Sequence, residues 1–107
     1  MTFDKVILNL IGEKPSAWSR KAWSVHGGLL AISFQPAKTV PKESVTGPIN
    51  LITANGLLIR KRIDLYHIAP PGSAQKMGLG NGTMTEYFGC WAPTSTDLLA
   101  DDWEELP

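Results

Sequence analysis

A single cysteine, Cys90, leaves no partner for an internal disulfide. Nothing in the chain therefore calls for an oxidising compartment, and a cytosolic setting is the default. Histidine is equally sparse: His26 and His67 stand far apart, and neither lies beside a cysteine. No zinc-ligand spacing and no Cys-His nucleophile pair is visible, so neither metal nor cofactor is expected. Neither sign of charge is in surplus, since ten Lys and Arg offset ten Asp and Glu. Without a global basic field, long nucleic acid and anionic membrane are excluded as general partners. Long hydrophobic runs are absent too: Val6 to Ile11 is interrupted by Asn9 and is too short for a signal core or a membrane span.

What remains is an ordinary globular composition, 43% hydrophobic and 19% charged over 107 residues, enough for one modest core and one domain spanning 1–107. The charges are unevenly placed. All ten basic residues precede residue 77, whereas the last 11 residues hold Asp97, Asp101, Asp102, Glu104 and Glu105. Their spacing matches no EF-hand loop, and a solvated helix face is the expected reading.

Thr2 followed by Phe3, Val6, Ile7, Leu10 and Ile11 predicts a short amphipathic helix over about 3–11, closed by Gly12. Pro15 prevents its continuation, and 17–23 suits a short strand. Gly27-Gly28 predicts a turn into an apolar run, Leu29 to Phe34, of the kind that forms a central strand. Residues 35–48, with Pro36, Pro41, Gly47 and Pro48, read as an extended loop. Ile49–Thr53 and Leu57–Leu65 flank Asn55-Gly56, the pattern of a hairpin closed by a type I′ turn. A Gly-rich stretch runs from Gly72 to Gly82, then 83–91 alternates as a last strand, and Thr94 or Thr96 caps a helical turn over 97–102. The fold class is α+β: an N-terminal helix packed on a small twisted antiparallel sheet, with a short C-terminal helical turn.

Catalytic raw material is thin. Gly78, Gly80 and Gly82 lack the Lys-Ser/Thr ending of a phosphate-binding loop, so a flexible loop is the expectation there. No activated nucleophile or paired acid and base stands out, and the chain reads as a binder and not an enzyme. Four tryptophans supply flat apolar faces suited to core packing or to stacking on a base, and Arg20 lies close to Trp18 and Trp23.

The tail from Trp91 to Trp103 carries Trp91, Thr94, Thr96, Asp97, Leu98, Leu99, Ala100, Asp102 and Trp103 in one register. An N-terminal pattern precedes it: Met1-Thr2-Phe3, Gly12, Arg20, Trp23-Ser24 and the strand from Leu29. In both segments, which together cover about a third of the chain, the sequence resembles the Thoeris anti-defence type 2 family of phage proteins. That resemblance implies a homo-oligomer, dimeric or tetrameric, in the host bacterial cytoplasm. It would sequester a cyclic nucleotide immune signal, such as a cyclic ADP-ribose isomer or a cyclic oligonucleotide, without cleaving it. By position, Trp23 and Trp91 would stack on the base, and Arg20, Ser24, Thr94, Ser95 and Asp97 would meet the polar parts of the ligand. Leu99 and Trp103 would anchor the last helical turn. The family's amide residues are replaced here by Ser24 and Ser95, and its Gly by Ala22, which alters what can read a base edge. Two other readings stand beside this one: a protein-binding inhibitor of a host defence nuclease, and a phage structural protein whose tryptophans are core.

Overall fold

In the computed structural model, which describes every residue except His26, a helix covers one face of an antiparallel sheet. The elements are α1 (Phe3–Leu10), β1 (Ala17–Arg20), β2 (Ser24–Val25), β3 (Gly28–Gln35), β4 (Lys38–Pro41), β5 (Gly56–Ile59), β6 (Arg62–Ile68), α2 (Ser73–Lys76), β7 (Thr85–Cys90), α3 (Ser95–Leu99) and β8 (Trp103–Glu105). Short 3-10 turns occupy Lys21–Trp23, Lys42–Ser44 and Pro48–Leu51. The main sheet runs β7-β6-β3-β1-β8, with β2 paired to the start of β3. The apolar run expected to be central is β3, in the middle of that order.

Alternation along each strand decides which side chains face α1. Trp18 on β1 stands opposite Ile32 on β3, which stands opposite Leu65 on β6. Val6 and Leu10 reach this row from the helix, and Trp103 closes it from β8; all five residues other than half-buried Leu65 are 3% exposed or less. Thr2 precedes α1 as expected, but its hydroxyl makes no capping bond; its carbonyl accepts from the Lys5 and Val6 N–H groups instead.

The strand expected over 17–23 ends at Arg20, where a 3-10 turn redirects the chain into β2. Gly27, at φ +80°, sits in the turn between β2 and β3, whereas Gly28 already belongs to β3. Gly28 is required for a different reason: a Cβ there would lie 2.2 Å from the Ile68 carbonyl oxygen. That neighbour is backbone and cannot swing away. Gly28→Ala is therefore expected to cost about 1 to 3 kcal/mol, as overpacking does, with a matching fall in melting temperature. An unchanged melt would show that β3 and β6 part freely at this end.

The hairpin expected around Asn55-Gly56 does not form. Residues 48–51 make a 3-10 turn instead of a strand, and Gly56 opens β5, which pairs with β4 from within the expected loop. The register explains why. Gln35 opposes Arg62 and Lys38 opposes Ile59, so β4 and β5 continue the β3–β6 ribbon with Pro36-Ala37 and Arg60-Lys61 facing each other across the break. Pro36 has no N–H to donate to a ladder, which fits an interruption at this point. Residues 28–68 are thus one long hairpin whose tip, 42–55, bears its own small core at Val45. Pairing with a distant strand of matching length outweighs the local turn preference of Asn-Gly.

At the other edge, β7 pairs with β6 through a bulge at Leu65/Tyr66, and Gly89 takes φ +98° beside it. The helical turn in the tail spans 95–99 and not 97–102, and β8 follows it as an added edge strand alongside β1. Among the described residues no helix is long and apolar enough to cross a membrane.

Candidate functional site

Tail and N-terminal segment meet at one place. After β7, the Trp91 N–H donates to the Ile63 carbonyl at 2.8 Å, which returns the chain to the helix-covered face. Thr94 then caps α3 reciprocally: its Oγ1 accepts from the Asp97 N–H at 3.2 Å, while Asp97 Oδ2 accepts from the Thr94 N–H at 3.1 Å. This capping box satisfies orphan donors at the helix start and aims Asp97 inward. Asp97 Oδ1 accepts from Arg20 Nη1 at 2.8 Å, and Asp102 Oδ1 accepts from Arg20 Nε at 2.8 Å. The second oxygen of Asp102 accepts from the Ala22 N–H at 3.2 Å, so the turn after β1 is bound to the tail as well.

Burial pushes the Asp97 carboxyl up, but the Thr94 N–H, Arg20 and the Thr94 hydroxyl outweigh it and hold the group below the ordinary carboxylate value. Asp102 is lowered chiefly by its hydrogen bond to Arg20, and Arg20 is raised chiefly by Asp102. The expected solvated acidic helix face is therefore not what forms. Asp97 is buried, Asp102 is ion-paired, and Glu104 and Glu105 lie on β8. Nor is Arg20 an exposed edge residue, because β8 lies outside β1 and the Arg20 side chain is only 12% exposed.

Above this ion network the aromatic rings converge. Trp103 packs edge-on to Trp23 at 4.9 Å and to Trp91 at 5.8 Å; Trp23 and Trp91 meet at 6.1 Å, and Phe3 lies 5.6 Å from Trp91. Trp103 is the buried centre, its Nε1–H donating to the Asp97 carbonyl at 3.1 Å. Trp23 and Trp91 are half-buried at its rim. Trp18, buried with its Nε1–H on Ser16 Oγ at 3.0 Å, belongs to the core. Leu99 does not anchor the tail as the resemblance implied; it is 85% exposed, because α3 ends there and its buried side is supplied by Asp97.

Of the residues singled out in the sequence, Arg20, Trp23, Trp91, Thr94 and Asp97 thus form one cluster. Ser95 lies exposed in the first turn of α3, and Ser24 lies exposed in β2. Ser24 and Arg20 also border a groove of about 440 Å³ with Lys21, Gly28, Pro70 and Thr83. Its size is in the range of pockets that hold small organic ligands, and Lys21 and Thr83, which the sequence did not mark, offer it a cation and a hydroxyl. Among the described residues no group of three or more His, Cys, Asp or Glu is placed to hold a metal ion. His26 lies outside the described residues.

No protein-family model matches the chain, and no curated protein matches its sequence.

Proposed function

We propose that this chain is a phage anti-defence protein that binds a cyclic nucleotide immune signal and sequesters it intact, acting as a homo-oligomer in the host bacterial cytoplasm. One observation carries the reading. The two segments that resemble the Thoeris anti-defence type 2 family, separated by most of the chain, fold into a single unit: Arg20 bonds both Asp97 and Asp102, and Trp23 packs on Trp91 and Trp103. Where they meet, Trp23 and Trp91 are half-buried and leave part of their aromatic surface uncovered, which supports stacking on a base. Arg20 is already held by two carboxylates, so its part is to position the turn bearing Trp23; the groove at Lys21 is lined by neither Trp23 nor Trp91 and is a separate concavity.

Sequestration needs affinity without an activated group. The expected result of a thermal-shift screen against cyclic ADP-ribose isomers and cyclic oligonucleotides is a rise in melting temperature with one class, about 2.7 kcal/mol of stabilisation at a hundredfold excess over Kd. Heat-denatured complex should release the compound with its mass unchanged. Trp23→Ala and Trp91→Ala should abolish the shift while the protein remains folded. Release of a cleaved product would identify an enzyme. Indifference to every nucleotide, with co-purification of a host defence nuclease, would identify a protein-binding inhibitor instead.

A further inference from the structure

One buried acid has no part in the nucleotide reading. Asp64 lies on β6 with none of its surface exposed, and its two oxygens are treated unequally. Oδ1 accepts from Arg62 Nε at 3.0 Å and from the Tyr87 hydroxyl at 3.2 Å. Among the described residues, Oδ2 is a buried side-chain oxygen with no hydrogen-bond partner. An unmet acceptor in the interior is costly, and this one asks for a donor that the chain does not supply.

The sheet register shows where a donor would enter. Leu65 faces α1 with Trp18 and Ile32, so Asp64 beside it faces the opposite side of the sheet, in a row with Ser33 on β3 and Ala17 on β1. The adjoining rows pair Gln35 with Arg62 and Ala31 with Tyr66. Gln35 and Tyr66 therefore stand on either side of the Asp64 row, and Gln35 Nε2 donates to the Tyr66 hydroxyl across it at 3.4 Å. One long, weak bond thus roofs the carboxylate. Beside it runs a groove of about 260 Å³, lined by apolar Ala17, Ala31 and Ile68 and by Ser33, Gln35 and Tyr66 themselves.

Acceptors gather at this end of the groove. The Ser33 hydroxyl already gives its proton to the Ser16 carbonyl at 3.0 Å, which leaves its oxygen as an acceptor. Charge points the same way. The Arg62 side chain is 29% exposed and screened by water, whereas that of Asp64 is 1% exposed. Burial first, and then the Asp64 charge, push the Tyr66 hydroxyl up, and the opposing effect of Arg62 is smaller, so the potential here is negative. We infer that this groove binds a small aliphatic ammonium ion, its chain along Ala17, Ala31 and Ile68 and its N–H groups on Asp64 Oδ2 and Ser33 Oγ, with the Gln35–Tyr66 bond opening to admit it. The site shares no residue with the Trp23–Trp91 cluster and is independent of nucleotide sequestration.

An NMR titration of the full chain with n-butylammonium tests it, with 1-butanol and butyrate as matched probes. Saturable shifts at the groove residues are expected for the ammonium and for neither of the other two. Asp64→Asn should weaken that binding at least about tenfold, the contribution of one hydrogen bond to a charged group, and Gln35→Ala should tighten it by removing half of the roof. If Asp64→Asn does not fold, the Asp64 carboxyl carbon of the wild type decides, since its resonance should move as the ammonium saturates. The site is overturned by no saturable response to the ammonium, by an equal response to 1-butanol, by an Asp64→Asn variant that binds as the wild type does, by weaker binding to Gln35→Ala, or by a carboxyl resonance that stays still. None of these outcomes touches the thermal shift with cyclic nucleotides, which reads the tryptophan cluster separately.

Discussion

Trp103→Ala is expected to remove about 3 to 5 kcal/mol of folding stability, the range for truncating a large buried aromatic. The ring is 2% exposed, and Phe3, Trp23 and Trp91 all lean on it, at distances of 5.4, 4.9 and 5.8 Å. Truncation therefore opens a cavity bordered by three other rings, of which Trp23 and Trp91 lose an edge-to-face partner and Phe3 a tilted one. It also strands the Asp97 carbonyl, which accepts the Trp103 Nε1–H at 3.1 Å. Against a typical total of about 5 to 15 kcal/mol for a domain, such a loss is a large fraction of the whole. Urea denaturation followed by circular dichroism gives the number directly. Trp103→Phe should recover part of it by refilling volume without the donor. A loss below about 1 kcal/mol for the Ala variant, within the range of a surface substitution, would mean that the tail decorates the core and does not close it.

Arg20→Met keeps the aliphatic stem and removes the charge, leaving Asp97, whose side chain is 12% exposed, without its cation. The pair is neither fully exposed nor fully buried, so a loss of about 2 to 3 kcal/mol at neutral pH is expected, between the values for surface and interior pairs. The pH dependence separates charge from packing. Asp97 and Asp102 both titrate below the ordinary carboxylate value in the folded protein. Groups of that kind contribute stability that is fully present above the unfolded value, about 3.9, and is lost as pH falls through the lower folded value. The wild type should therefore hold its stability down to about pH 4 and lose it below, and the gap between wild type and Arg20→Met should narrow over the same window. A gap that persisted unchanged into strong acid would assign the effect of Arg20 to its stem.

Local signals were readable where neighbours in sequence decide the outcome. The amphipathic spacing of Phe3, Val6, Ile7 and Leu10 sufficed for α1 and the run from Leu29 for β3, whereas the helical turn of the tail was expected over 97–102 and starts at Ser95, because the Asp97 carboxylate bonds back to Thr94. Asn55-Gly56 misled because its turn preference is small beside the pairing of β5 with β4. No pattern marks Asp64 as buried, although it is fully covered on β6 with Arg62 and Tyr87 on its Oδ1.

The sequence by itself determined the class of fold, the composition of the aromatic and acidic tail, and the absence of an internal disulfide, because hydrophobic period, capping chemistry and residue counts are local or additive. Tertiary structure alone decided what the tail is for. Whether Asp97 and Asp102 face water or Arg20, whether Trp103 or Leu99 is the anchor, and whether residues 42–55 lie on the body or stand out as an arm depend on strands far apart in the chain pairing in one register. Such pairings are selected by the sum of burial and ladder hydrogen bonds over the whole sheet, a quantity no short window of sequence contains.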